Sequence, residues 1–123
     1  MKPPESIFGW HAHVYFDADT IGPARDLCER ARDTFGVSMG WMHQKPVGPH
    51  PMWSCQLTFP PGKFGSLIPW LGQERGDLTV FIHAVTGDDL RDHTQGTIWM
   101  GTMPTLDLSI FDDAPQTEYD NLG

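Results

Sequence analysis

Apolar and polar residues alternate along several stretches of the chain, and this period of two predicts β-strands. Residues 10–16 place tryptophan, alanine, valine and phenylalanine on one face. The opposite face carries His11, His13 and Tyr15. Residues 52–59 and 77–84 alternate in the same way, and residues 37–44 predict a weaker strand that contains Gly40.

Apolar residues at spacings of three and four predict two helices, over residues 20–35 and 62–74. Thr20 is suited to cap the start of the first helix, and Gly36 is suited to end it. The second helix contains Pro69, whose ring and missing N–H should end or kink it.

The main elements follow the order β-α-β-β-α-β, which is the ferredoxin-like arrangement of an α+β protein. Its antiparallel sheet runs 4-1-3-2, with two helices on one face. A C-terminal extension follows, in which residues 86–94 predict a turn and short helix, and residues 97–100 and 105–110 predict short edge strands. The uncovered sheet face predicts a homodimer that resembles a dimeric α+β barrel.

The length of 123 residues predicts a single domain, with residues 1–6 as a loose arm and about 112–123 as an acidic tail. The net charge of −8 disfavours nucleic acid and anionic membranes as partners. The chain has no apolar run of membrane-spanning length and no signal-peptide pattern at its start, which predicts a cytoplasmic protein. Cys28 and Cys55 are expected to be reduced core residues.

Three histidines are expected to meet on the polar face of the sheet. His11 and His13 point to the same side of one strand, about 7 Å apart. His83 lies near the end of the fourth strand, which runs antiparallel beside the first and therefore ends opposite its start. Because neutral imidazole is the most common metal ligand at neutral pH, this patch predicts a metal site.

The pattern leaves the complete ligand set open. Two histidines and one carboxylate would suit non-haem iron, with Asp17, Asp92 or Glu74 as the carboxylate. A site of three histidines, or a fourth histidine from the proline-rich loop, fits the sequence equally well.

Other residues are candidates for contact with a substrate. His50 lies between two prolines, so it is either a rigidly held acid/base or a turn residue. His93 is a second candidate of this kind, whereas His43 is expected at the surface or an interface. A pocket for a flat aromatic ligand could be lined by Tyr15, Trp41 and Phe81. Arg75 could bind a carboxylate or remain a solvated surface residue.

Four segments in the same order resemble the small fungal-type DOPA 4,5-dioxygenase family, over about residues 8–102. These segments are Trp10-His11-Ala12-His13-Val14-Tyr15-Phe16, Pro46-Val47-Gly48-Pro49-His50-Pro51, Arg75-Gly76-Asp77-Leu78 running to His83 and Thr86-Gly87, and Asp92-His93 with Trp99-Met100-Gly101. The resemblance implies a compact ferredoxin-like dimer that opens the catechol ring of L-DOPA, or of another catechol, with O₂ and non-haem Fe(II).

With this reaction, the candidate residues take defined roles. His11, His13 and His83 are assigned as metal ligands, His50 as the acid/base, and His93 as the second choice for that role. Arg75 or Lys45 would meet a substrate carboxylate. Two other interpretations remain: a ferredoxin-like dimer that binds Zn²⁺ without oxygenase activity, and a metal-free enzyme of the dimeric α+β-barrel type.

Overall fold

The computed structural model describes residues 7–111, which form an antiparallel sheet of five strands with three α-helices. The strands are β1 (Gly9–Phe16), β2 (Ser38–Met39), β3 (Trp53–Phe59), β4 (Val80–Val85) and β5 (Thr97–Met100). Their order is β2-β3-β1-β4-β5, which confirms the predicted order 4-1-3-2 and adds β5 at the edge beside β4. The helices are α1 (Ile21–Phe35), α2 (Phe64–Glu74) and α3 (Asp89–Asp92).

The hydrophobic core lies between the sheet and the two long helices. Ala12, Val14 and Phe16 of β1 are at most 1% exposed, as the alternation predicted. From the helices, Leu27 and Cys28 of α1 pack into the same core. The core therefore covers one face of the sheet, and the histidine side chains of β1 and β4 lie on the other face.

The α1 helix ends at Gly36 as predicted, but Thr20 does not cap its start. Gly36 has a φ of 71°, and its N–H donates to the carbonyl of Arg32. The hydroxyl of Thr20 instead donates to the carboxylate of Asp17 at 3.0 Å. The Thr20 hydroxyl is therefore used within the preceding turn and makes no capping hydrogen bond to the helix.

The α2 helix continues through Pro69 to Glu74, so of the two predicted outcomes, an end or a kink at this proline, the first is wrong. Pro69 lacks the N–H that would bond to the carbonyl of Gly65, four residues earlier. Both residues are on the exposed side of the helix. Solvent can therefore satisfy the released carbonyl, while Leu67 and Leu71 remain buried against the sheet.

Two predicted strands differ from the structure. The strand expected over 37–44 is reduced to Ser38–Met39, followed by a single bridge between His43 and Ser54. The strand expected over 105–110 is absent from the described chain, where a 3₁₀ helix occupies Leu108–Phe111. In that segment the carboxylate of Asp107 accepts hydrogen bonds from Ser109. The main-chain N–H of Asp107 donates to the carbonyl of Pro49, so the segment packs against the proline-rich loop.

Cys28 and Cys55 are buried free thiols. Within residues 7–111, none of the helices combines the length and hydropathy needed to cross a membrane. The predicted N-terminal arm and acidic tail lie outside the described residues.

Candidate metal centre

The central strands β1 and β4 bring His11, His13 and His83 together. His11 and His83 are direct cross-strand partners, and His13 lies two positions along β1 on the same face. One ring nitrogen from each of the three histidines lies within 4.8 Å of the other two. His13 and His83 are 4% and 3% exposed, whereas His11 is half-buried at the mouth of the cluster.

The orientation of His83 follows from a bond to the main chain. Its Nδ1 lies 2.9 Å from the carbonyl oxygen of Ala84, which can only accept a hydrogen bond. The proton of neutral His83 is therefore on Nδ1, and the lone pair of Nε2 points towards His13, 3.0 Å away. A hydrogen bond of this kind typically orients metal-binding histidines.

Burial favours the neutral form of these imidazoles. Desolvation lowers the pKa of His13 well below its usual value, and neighbouring His50 and His83 lower it further. Burial also lowers the pKa of His83, with a smaller contribution from His93. Neutral imidazole is the form that coordinates metals.

His50 is held beside the cluster by the proline-rich loop. Its main-chain N–H donates to the carbonyl of Val47, and its Nδ1 lies 2.7 Å from the hydroxyl of Tyr15. The ring centroids of His50 and His13 are 4.0 Å apart. Burial lowers the pKa of His50 to about 3. The structure thus places His50 next to the three-histidine cluster with one ring nitrogen engaged by Tyr15.

His93 approaches the cluster from α3. Its ring centroid is 4.1 Å from that of His83, and its Nδ1 donates to the carbonyl of Asp89 at 2.7 Å. The proton on Nδ1 leaves Nε2 of the neutral ring as an acceptor. Burial lowers the pKa of His93. Both histidines that were expected to handle protons therefore lie against the three-histidine cluster.

All six histidines of the chain line one cavity of about 290 Å³, which we call the histidine cavity. His43 is among them, so its assignment to the surface or an interface missed this contact. The remaining lining comes from the proline-rich loop, β3, α3 and the C-terminal segment: Val47, Gly48, Pro49, Ser54, Gln56, Asp89 and Phe111.

Several of these lining residues were not singled out from the sequence. Gln56 pairs with His13 and Ser54 pairs with Tyr15, so strand parity carried a signal for both of them. Asp89 and Phe111 depend on the paths of the loops around α3, and the sequence pattern gave no signal for their position.

Aromatic side chains pack against the histidines, with Phe81 in ring contact with His13 and His83. Phe81 is fully buried and stacks on Trp99 with ring centroids 4.2 Å apart. Tyr15 is 1% exposed and reaches the cluster through His50. None of Tyr15, Phe81 and Trp41 is among the residues that line the histidine cavity, and Trp41 is 82% exposed.

Arg75 also lies away from the histidine cavity. Its Nη1 donates to the carbonyl of Leu78 at 2.9 Å, and its side chain borders a separate cavity near the start of α1. The strand order places this region at the opposite end of β4 from His83. Within the described chain, Arg75 is therefore not positioned to bind a ligand at the histidines.

None of the three candidate carboxylates lines the histidine cavity. Asp17 accepts hydrogen bonds from Thr20, and Glu74 forms an ion pair with Arg30 at 2.7 Å. Asp92 is 2% exposed, and its two oxygens accept from the N–H and hydroxyl of Thr86. In residues 7–111, the arrangement that is suited to a metal is the three-histidine one.

Comparison with known proteins shows which family this chain resembles. The sequence profile of the Dopa 4,5-dioxygenase family matches residues 10–110. An uncharacterized 21.2 kDa protein of Botryotinia fuckeliana is 41% identical over 98 residues, which cover 71% of this chain and 52% of the relative. A DOPA 4,5-dioxygenase of Amanita muscaria is 30% identical over 109 residues, covering 81% of this chain and 48% of the relative.

A solved structure shows the same fold. The crystal structure of a candidate dioxygenase from Nostoc punctiforme superposes with a TM-score of 0.77 at 37% sequence identity. The match covers 88% of this chain and 94% of that one. The chain spans about half the length of the two curated relatives described above.

Proposed function

The chain belongs to the Dopa 4,5-dioxygenase family, and we propose that it opens a catechol ring with O₂ at an Fe(II) ion held by His11, His13 and His83. The observation that carries this proposal is the convergence of three imidazole nitrogens within 4.8 Å of one another. The name of the Amanita muscaria relative gives DOPA as its substrate, and we extend the proposal here to catechols as a class.

The donor set fits a divalent transition metal. Imidazole nitrogen suits iron and zinc alike. Burial favours neutral His13 and His83, and the bond to Ala84 directs the Nε2 lone pair of His83 into the cluster. Bound there, Fe(II) would supply the redox chemistry that lets O₂ react with the catechol ring. The chain's own residues would then position the ring and move protons.

We assign His50 to remove a proton from the catechol. A catechol that binds through both oxygens must lose a proton, and His50 lies against His13 at the edge of the cluster. Tyr15 would hold the ring of His50 in position through the 2.7 Å bond to Nδ1. His93, whose Nε2 is an acceptor, is the second candidate for proton transfer and approaches from the side of His83.

The surrounding walls would exclude water from the reacting ring. Phe81 packs behind His13 and stacks on Trp99, and the loop around Pro49 lines one side of the cavity. A volume of about 290 Å³ accommodates a single catechol ring. The four residues that were expected to contact the substrate do not line this cavity, so the proposal gives them no direct substrate contact within the described chain: Tyr15, Trp41, Phe81 and Arg75.

A homodimer remains part of the proposal. The histidine face of the sheet is covered in this chain by the proline-rich loop, α3 and the segment that ends at Phe111. Apolar side chains remain exposed nearby, including Met103 at 72% and Ile110 at 44%. Sedimentation analysis of the purified protein would give twice the monomer mass if a second copy covers them, and the monomer mass would contradict this.

The activity is tested by oxygen uptake combined with absorbance. The protein is loaded with Fe(II) without air and then mixed with air and a catechol such as L-DOPA or caffeate. Oxygen consumption with a new yellow chromophore is the expected result, since ring opening produces a conjugated product. Metal binding without oxygen uptake for any catechol would overturn the proposal and favour a zinc-binding module. Full activity without metal would favour the metal-free enzyme.

A further inference from the structure

We propose that Phe111 packs against the aromatic ring of the substrate, so that the histidine cavity favours catechols over non-aromatic ligands that bind a metal through two oxygens. The inference rests on the proposed function, because it assumes that the substrate binds at the three-histidine cluster. It concerns a residue just beyond the match to the family profile, which ends at residue 110.

The first observation is the aromatic content of the cavity wall. Besides the imidazoles, Phe111 is the only residue with an aromatic side chain among those of 7–111 that line the histidine cavity. The side chains that were expected in this role lie elsewhere, since Tyr15 and Phe81 are buried outside the lining and Trp41 is exposed. A flat ring that enters the cavity therefore meets its phenyl partner at Phe111.

The second observation is the placement of the Phe111 ring. Its centroid is 4.8 Å from that of His93, at an interplanar angle of 36°. His93 packs in turn on His83, with ring centroids 4.1 Å apart. A single imidazole thus separates Phe111 from a proposed metal ligand. Because the cavity measures only about 290 Å³, a catechol bound at the cluster would lie against this wall.

The third observation is that the segment carrying Phe111 is fixed to the proline-rich loop. The main-chain N–H of Asp107 donates to the carbonyl of Pro49 at 2.9 Å. The carboxylate of Asp107 accepts from the N–H and the hydroxyl of Ser109 at 3.1 and 2.6 Å. These bonds fix the start of the 3₁₀ helix that ends at Phe111. A wall that is already ordered costs a ligand less entropy on binding than one that must be ordered by it.

A wall of this kind distinguishes ligands by their rings. A catechol and a hydroxamate both present two oxygens to a metal, but only the catechol has a ring to bury against Phe111. Burial of apolar area and the contact between two aromatic rings both favour that pairing. Truncation of Phe111 should therefore weaken the binding of the catechol and leave that of the hydroxamate unchanged.

The test measures ligand binding to the Zn²⁺-loaded protein by calorimetry, with 4-nitrocatechol as the aromatic probe and acetohydroxamate as the non-aromatic probe. Phe111→Ala should raise the Kd of 4-nitrocatechol about tenfold, and Phe111→Leu, which keeps apolar bulk, about threefold. The Kd of acetohydroxamate should stay within about twofold of the parent value in both variants. An unchanged Kd for 4-nitrocatechol, or an equal increase for both probes, would overturn the inference.

Ile110→Ala is the matched control, because Ile110 lies in the same 3₁₀ helix, is 44% exposed and does not line the histidine cavity. It should leave both Kd values unchanged. A loss of 4-nitrocatechol binding equal to that in Phe111→Ala would assign the effect to the helix as a whole and contradict the role of Phe111. Metal analysis accompanies each titration, and Phe111→Leu decides the matter if Phe111→Ala does not fold.

The binding measurements need no oxygen chemistry, so they separate this inference from the oxygenase proposal. The expected Kd values without oxygen uptake by the Fe(II)-loaded protein would support the contact with Phe111 and overturn the oxygenase. Oxygen uptake with unchanged 4-nitrocatechol binding in Phe111→Ala would do the reverse. If the parent protein does not bind 4-nitrocatechol, both proposals are overturned.

Discussion

The Nε2 atoms of His13 and His83 lie 3.0 Å apart, although 70 residues separate them in the chain. Since the carbonyl of Ala84 takes the Nδ1 proton of His83, the hydrogen bond between the two Nε2 atoms requires a proton on His13. A metal ion that binds both rings must displace that proton to Nδ1 of His13. A metal ion held by both Nε2 atoms would therefore take the place of this hydrogen bond.

Loss of either buried ligand should abolish metal retention. His13→Ala and His83→Ala each remove a nitrogen from the three-histidine cluster, and two imidazoles are expected to hold iron or zinc too weakly to survive purification. Metal analysis of the purified variants measures this directly. His43→Ala is the matched control, because His43 lines the same cavity outside the cluster and its removal should leave the metal content unchanged. Full iron occupancy in both His13→Ala and His83→Ala would contradict the ligand assignment.

Tyr15→Phe should lower activity while leaving the metal in place. The substitution keeps the buried ring and removes the hydroxyl 2.7 Å from Nδ1 of His50. We expect a loss of about 1–3 kcal/mol in the free energy of unfolding, because the buried nitrogen loses its partner. We expect kcat to fall about tenfold, less than the loss of about a hundredfold for His50→Gln.

The double variant of Tyr15→Phe and His50→Gln separates positioning from structure. If Tyr15 acts through His50, the double variant should be no slower than His50→Gln alone, since the two effects are not additive. Additive losses in kcat, or an unchanged kcat in Tyr15→Phe, would show that the hydrogen bond does not serve proton transfer. Urea unfolding and metal analysis of each variant accompany the rate measurements.

The metal-free protein should lose stability as the pH falls below about 6.5. The folded chain lowers the pKa values of His13, His50 and His83, so between pH 6.5 and 5 the unfolded chain binds protons that the folded chain does not. Stability therefore falls with decreasing pH, by about 2 kcal/mol at pH 5 for each imidazole that stays neutral. Urea unfolding at pH 7 and pH 5 measures the difference. His50→Gln should reduce that difference by about 2 kcal/mol, and an equal pH dependence in the two proteins would contradict the assignment for His50.

Asp92 is expected to contribute to stability through Thr86. The carboxylate is buried, accepts the N–H of Thr86 at 2.8 Å and its hydroxyl at 2.6 Å, and so ties α3 to the end of β4. Asp92→Ala should lower the free energy of unfolding by about 3 kcal/mol, because it leaves a donor on Thr86 without a partner. Asp92→Asn, which keeps one acceptor oxygen, should lose about half as much. A loss below about 1 kcal/mol for Asp92→Ala in urea unfolding would contradict this role.

The meeting of the three histidines was predictable from the sequence because it depends on strand alternation and on the strand order of the ferredoxin-like arrangement. Alternation assigned His11 and His13 to one face, and the antiparallel order brought His83 opposite His11, as the register shows. The same parity would have found Gln56, which lies across from His13 on β3. The face on which each strand residue lies follows from the pleat of the sheet. The family resemblance assigned the same three histidines.

The loops around the cavity were less predictable, because their paths depend on contacts between distant residues. Thr105–Ile110 alternates like a strand, yet Asp107 bonds to Pro49 and Ser109, and a 3₁₀ helix forms over Leu108–Phe111. Trp41 has the character of a pocket residue but lies beyond the short β2, where the chain leaves the sheet. Asp89 reaches the cavity only because α3 packs beside β4.

The acceptors that orient His83 and His93 are the carbonyls of Ala84 and Asp89, and both belong to the main chain. Every amino acid supplies such a carbonyl, so replacing the side chain at either position does not delete the acceptor. The orientation of the two rings therefore does not depend on which side chain is present at the residues that supply the carbonyls. A substitution at position 84 or 89 can therefore change the side chain there while the imidazole keeps its orientation.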